Sequence, residues 1–309
     1  MTAAVTLIAA GSPGFSWNLV ADVRYMWSFP FMVNAFRAGV IAAVVAGLIG
    51  WFMVLRRQTF AGHTLSVVAF PGAAGATLLG VSAAYGYFAF CLAAAVVIAI
   101  ATPGRNTGGL AAESALTGTV QAFALACGLL FVALYQGFLN GTTALLFGSF
   151  LGITGSQVAV LAVVGLAALA VLVVIGRPLL FASVDPDVAR ARGIPVRGLS
   201  IAFLVLLGAA VAEVAQITGA LLVFALLVMP AATAQRLTAR PLPGLVLTVI
   251  IGWVVTWAAL TAAFYTPYPI GFYVTSFAFA GYVAARVTSG RQLLIRGRLA
   301  GKQFAGRPA

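Results

Sequence analysis

The chain has 309 residues, of which 63% are hydrophobic and 7% charged, and its formal net charge is +12. A soluble domain carries roughly a quarter charged residues on its wet surface, so this composition excludes one, and apolar runs of about 20 residues recurring almost end to end point to repeated membrane crossing. The charge does not indicate nucleic acid: the basic residues form short clusters between apolar runs, without an aromatic RNA-binding motif, which is the pattern of the positive-inside rule.

Barrel strands would alternate polar and apolar residues, whereas runs such as Val158 to Ile175 are apolar on every side. The expected fold is therefore an all-α polytopic membrane bundle of eight or nine transmembrane helices, because only helices and closed barrels satisfy their backbone in hydrocarbon. In chain order, residues 1–30 read as an extracytoplasmic leader. Its weak apolar run, Val5 to Ala10, lacks a basic start and is interrupted by Gly11, Pro13 and Gly14, unlike a signal peptide. Residues 31–287 form the transmembrane domain, with spans near 31–55, 60–80, 86–102, 117–136, 156–176, 199–216, 218–235, 243–263 and 269–286. Residues 199–235 can also be read as one broken hairpin, which is why the count is eight or nine. Arg56 and Arg57 close the first span, Pro103 to Arg105 the third, Arg177 and Pro178 the fifth, Arg236 and Arg240 the seventh, and Pro267 and Pro269 part the last two. Residues 142–152 do not fit as a full span and read as a short or re-entrant helix on the outer side.

Small residues line two early helix faces, Gly39, Ala43 and Gly47, then Gly72, Ala76 and Gly80, as close helix packing in lipid requires. Cys91 and Cys127 fall inside apolar spans and read as small buried hydrophobes. His63, the single histidine, lies in the second span, where an ionisable group is a functional candidate or a hydrogen-bonded packing residue. Thr64, Ser66 and Gln216 are its candidate helpers. Glu213 is the one acid deep in an apolar span. It either lines a pathway or pairs with Arg37, the natural counter-charge on the first span.

The longest polar connection, Pro178 to Gly198, contains a short helix: Ser183 or Asp185 can cap it, Pro186 starts it, Asp187 to Arg192 form it and Gly193 closes it. Such a knob suits docking of a partner; a solvated linker is the plainer reading. The basic tail, 288–309, including Arg291, Arg296, Arg298, Lys302 and Arg307, reads as a cytoplasmic lipid-headgroup anchor. With the N-terminus outside, nearly all other arginines fall inside; Arg24 and Arg37 are the exceptions.

Three segments resemble the permease subunits of the zinc and manganese ABC uptake transporters. They are Arg56 to Ser66 continuing to Pro71 and Gly72, the Asp185, Asp187, Ala189, Gly193 stretch, and Gly219 to Ala234 (GALLVFALLVMPAATA). The resemblance implies an ABC importer permease moving a divalent metal ion (zinc, manganese or iron) as substrate, with no permanently bound cofactor. It implies a separate cytoplasmic ATPase, a second permease copy or paralogue, and an extracytoplasmic metal-binding receptor. It also makes Asp185, Asp187, Ala189 and Gly193 the ATPase-coupling helix, in a cell membrane with the C-terminus cytoplasmic. The chain has no phosphate loop of its own and is not expected to be an enzyme. One departure stands out. The family's usual Gly-Asp-x-Leu-x-His motif has His63 here in place of Asp and Val67 in place of His. The alternative is an ion-coupled secondary transporter or channel that uses Glu213.

Overall fold

A computed structural model of the chain describes residues 19–101, 109–135, 146, 148, 152–266 and 268–305. Among these, helices follow in the order α1 (Leu19–Trp27), α2 (Pro30–Leu55), α3 (Thr59–Leu78), α4 (Ala83–Ala101), α5 (Gly109–Leu134), α6 (Gly155–Val184), α7 (Pro186–Ala191), α8 (Val196–Thr218), α9 (Ala220–Leu237), α10 (Pro241–Tyr265) and α11 (Ile270–Ala305). All nine expected spans coincide with helices. Seven of these helices, α2, α4, α5, α6, α8, α10 and α11, are both long and apolar enough to cross a membrane.

The expected count of eight or nine is therefore not reached by length and hydropathy: α3 is long enough but less apolar, and the apolar stretch of α9, Leu222–Leu237, is short. The remaining two, α3 and α9, lie at the centre of the bundle. Helix α3 buries most of its side chains and touches α4, α5, α8 and α9. A helix shielded from lipid need not be apolar all round, so it can carry His63, Thr64 and Ser66 and still be interior. Peripheral α5, α6 and α11 are the most exposed to the surroundings and among the least buried.

The small faces act as contacts between backbones. Gly72 and Ala76 of α3 face Gly86 of α4 so closely that a side chain at 86 would overlap Gly72 O. On α2, Gly47 meets Val249 and Ala43 meets Gly252, both on α10. Gly80 instead ends α3. The segment expected to be re-entrant, 142–152, lies almost wholly outside the described residues. Leu146 and Gly148, however, press their backbones against Gly219, the break between α8 and α9, where φ is +77°.

Helix α6 corrects the expected stop at Arg177 and Pro178. It continues through both to Val184, 30 residues in all. Proline removes a single backbone donor, and the bundle tolerates that loss. At 1.5 Å per residue α6 is about 45 Å long, against a hydrocarbon core of about 30 Å, so one end must project beyond the apolar layer. Thr154 caps its other end in a reciprocal box with Gln157.

The α2–α3 turn is unusually tight. Gln58 N donates to Met53 O at 3.0 Å and Arg57 N to Val54 O at 3.1 Å, a Schellman closure. Its left-handed position, normally glycine, is Arg57 at φ +59°. Arg57→Gly should therefore raise thermal stability, by about 0.5–1 kcal/mol in detergent unfolding curves; a fall would mean that the Arg57 side chain makes a compensating contact.

Candidate functional site

Two features stand out, an interior with two polar groups and an elbow at one end of the bundle. The elbow is built locally. Asp185 accepts from Asp187 N at 3.1 Å and Val188 N at 3.0 Å, which satisfies the first donors of α7, and Pro186 needs none. Gly193, at φ +77°, closes the helix: Gly193 N donates to Arg190 O at 2.9 Å and Ile194 N to Ala189 O at 3.0 Å. Ala189 is fully buried and anchors α7 on α6 and α8. The other face is open. Asp187 is 86% exposed, Val188 44%, and Arg190 pairs with Asp187 at 2.9 Å. The helix expected from the sequence is thus present, capped by Asp185; Ser183 belongs to α6.

Ser183 has a different task, which the sequence did not reveal. Arg56, just past the end of α2, donates to Gln58 Oε1 at 3.2 Å, Ser183 Oγ at 3.1 Å and Ser200 Oγ at 2.7 Å. Its guanidinium also lies 5.4 Å from the Phe203 ring centroid. One side chain therefore joins the α2–α3 turn, the end of α6 and the start of α8. The partners lie 127 and 144 residues away in sequence, too far for any local pattern to indicate them.

In the interior, His63 sits on α3 with its ring edge-on to Phe224 of α9, centroids 4.8 Å apart, and its Nδ1 is buried without a hydrogen-bond partner. The expected helpers are engaged elsewhere. Thr64 donates to Gln121 Oε1 at 3.0 Å, Ser66 to His63 O at 2.7 Å and Gln216 Nε2 to Ala212 O at 3.3 Å. Glu213, on α8, is 1% exposed and neither of its carboxyl oxygens has a hydrogen-bond partner. The expected pair with Arg37 does not form. Arg37 is exposed, and Glu213 turns instead toward α6 and α2, where Gly165 leaves room for Oε1 beside Val45 and Ile41.

His63 and Glu213 do not share a site. Cys91 sets a common level, since its Sγ meets Leu65 O at 3.5 Å and its carbonyl lies against Gly208. From that level His63 is two residues toward the Arg56 end and Glu213 five toward the other, roughly 10 Å along the bundle at 1.5 Å per residue. The imidazole also faces α9 while the carboxyl faces α6. Among the described residues no group of three or more His, Cys, Asp or Glu side chains could hold a metal ion. Among the described residues, His63 and Glu213 are thus two separated polar groups without a cluster of three such side chains around either.

Comparison with known proteins agrees with this architecture. The profile of the ABC 3 transport family matches residues 28–289. A manganese transport system membrane protein of Halalkalibacterium halodurans is 28% identical over 180 residues, 58% of this chain and 60% of that protein. A manganese import system permease protein of Streptococcus parasanguinis is 30% identical over 172 residues, 55% of this chain and 59% of that protein. The chain thus spans about three-fifths of the length of these relatives. Among solved structures, PsaBC from Streptococcus pneumoniae in complex with Fab has the same fold. Its TM-score is 0.75 and its identity 24%, covering 86% of this chain and 95% of that one.

Proposed function

The chain belongs to the ABC 3 transport family, and from that membership we propose that it is the membrane-spanning permease subunit of an ATP-driven importer for a divalent metal ion, manganese ahead of zinc or iron. The observation that carries this reading is the elbow. A six-residue helix is too short to persist alone, yet α7 is capped at both ends and anchored by Ala189, and it presents Asp187 and Val188 outward. Such a structure is a handle for a partner, and the chain has no phosphate loop with which to hydrolyse ATP itself. A separate ATPase subunit grips α7, a second permease copy or paralogue completes the pathway, and an extracytoplasmic receptor delivers the metal. Manganese is preferred because the relatives named above are manganese transport proteins.

In this arrangement the elbow end faces the cytoplasm, since Arg56, Arg57, Arg190, Arg192, Arg197, Arg236 and Arg240 lie at or beyond helix ends on that side. Helices α3 and α9 then complete nine crossings as interior spans. His63 and Glu213 serve as successive polar stations for the ion, with Thr64, Ser66 and Gln216 along the way. Weak separated stations suit transit better than a cage, because an ion held by many donors is slow to leave. Asp185 and Gly193 shape the coupling helix; Asp187 meets the ATPase.

The test is purification of the tagged chain from its own membranes in mild detergent. An ATP-hydrolysing subunit should accompany it, and Val188→Asp should reduce the recovered partner at least tenfold while the permease still elutes as a folded species. Brisk Mn2+ uptake by the isolated chain in liposomes without nucleotide would overturn the proposal. That outcome would favour the second reading, an ion-coupled carrier built on Glu213, for which the unpartnered buried carboxyl speaks.

A further inference from the structure

We propose that Arg56 is the positioning residue through which movement of the elbow reaches α3, a proposal that rests on the reading of α7 as an ATPase-coupling helix. The reasoning begins with what α7 touches. It packs on α6 and α8, whereas the interior histidine is on α3. Helices α2 and α3 make little contact beyond the turn that joins them. Besides the packing of α8 on α3, Arg56 gives a push on α7 a polar route to the first turn of α3. Its guanidinium binds Ser183 two residues before the Asp185 cap of α7, and Ser200 four residues into α8. On its own side it holds Gln58, the residue immediately preceding α3.

The chemistry suits a link that must not stretch. A guanidinium is planar, remains charged and presents several donors in a fixed fork, so one side chain can hold several acceptors at fixed relative positions. Its backbone is held too. Arg56 N donates to Phe52 O at 2.9 Å, and the Schellman bonds of Arg57 and Gln58 fix the turn on either side. Phe203 on α8 covers the guanidinium face, which limits its exchange with water. The end of α6, the start of α8 and the start of α3 are thereby joined as one unit. Displacement of the elbow carries the first turns of α3 with it, and His63 lies four residues into that helix.

The experiment uses the complete complex with its co-purifying ATPase in proteoliposomes, measuring Mn2+ uptake and phosphate release together. Arg56→Gln should leave phosphate release within twofold of the unaltered complex while Mn2+ moved per phosphate falls at least fivefold. The double variant Ser183→Ala, Ser200→Ala keeps Arg56 and should lower the same ratio. A merely structural role would reduce both quantities together, and an unchanged ratio in both variants would overturn the proposal. If Arg56→Gln does not assemble, the serine pair decides by the same ratio. If no ATPase accompanies the unaltered chain, the functional reading fails first, and its failure is visible before any variant is made.

Discussion

Gly86→Val should leave no recoverable folded protein. The two backbones meet at this point, and a Cβ at 86 would overlap Gly72 O and come within 2.8 Å of the Ala76 methyl. The reciprocal substitution is equally blocked, because a Cβ at 72 would overlap Gly86 O. Overpacking a close-packed core ordinarily costs about 1–3 kcal/mol, and more where backbone must give way. Here the obstacle is backbone on both sides, and α3 is the most sheltered helix of the bundle, so separation of α3 from α4 would propagate to α5 and α8. The measurement is size-exclusion elution with a thermal melt. Gly281→Ala is the control: nothing lies within 4 Å of its added methyl, and it should melt at or slightly above the original temperature, since alanine favours helix by about 0.5–1 kcal/mol over glycine. If Gly86→Val elutes and melts like the control, the close approach of α3 and α4 is not what holds the interior together.

This contact illustrates what the sequence could disclose. The period Gly72, Ala76, Gly80 identifies a helix face for close packing, but a period names no neighbour. That Gly86 lies opposite, and that Gly80 ends the helix instead, follow from where α4 begins. The elbow was legible because its determinants are local: an Asp cap, a proline at the first turn and a glycine four-residue walk past Ala189. The stop expected at Arg177 and Pro178 was misleading, since a projecting helix can carry an exposed arginine and a tolerated proline beyond the apolar layer. The apolar runs located all nine long helices, 60–80 and 218–235 among them, but could not show that α3 and α9 lie inside the bundle with protein around them. Arg56 was read as a terminating charge, and its role depends on serines brought near only by the tertiary fold. Charge pairing was the weakest inference. Glu213 and Arg37 are opposite in sign, yet α8 and α2 turn these side chains to different environments.

Glu213 therefore gives the second large effect, with stability and transport moving in opposite directions. A buried carboxyl without hydrogen-bond partners has lost its water and gained nothing in return, at a cost of about 1–3 kcal/mol. Glu213→Leu should remove that cost, and the permease should melt at a higher temperature. If the carboxyl is a station for the ion, Mn2+ uptake should fall at least tenfold in the same variant. Glu213→Gln separates shape from charge: it keeps the volume and the hydrogen-bonding capacity but cannot ionise, so it should transport as poorly as the leucine variant. Uptake retained by both would remove Glu213 from the pathway. Gly165 supplies an internal check on where the side chain lies. An added methyl there would come within 2.8 Å of Oε1, so Gly165→Ala alone should destabilise, and the penalty should shrink once Glu213 is shortened to Ala. Residues in direct contact show coupling of about 0.5–3 kcal/mol in such a cycle. A strictly additive result would mean that the carboxyl does not occupy the space Gly165 leaves beside α2. Coupling together with lost uptake would place the functional carboxyl between α6, which carries the elbow, and the interior of the bundle.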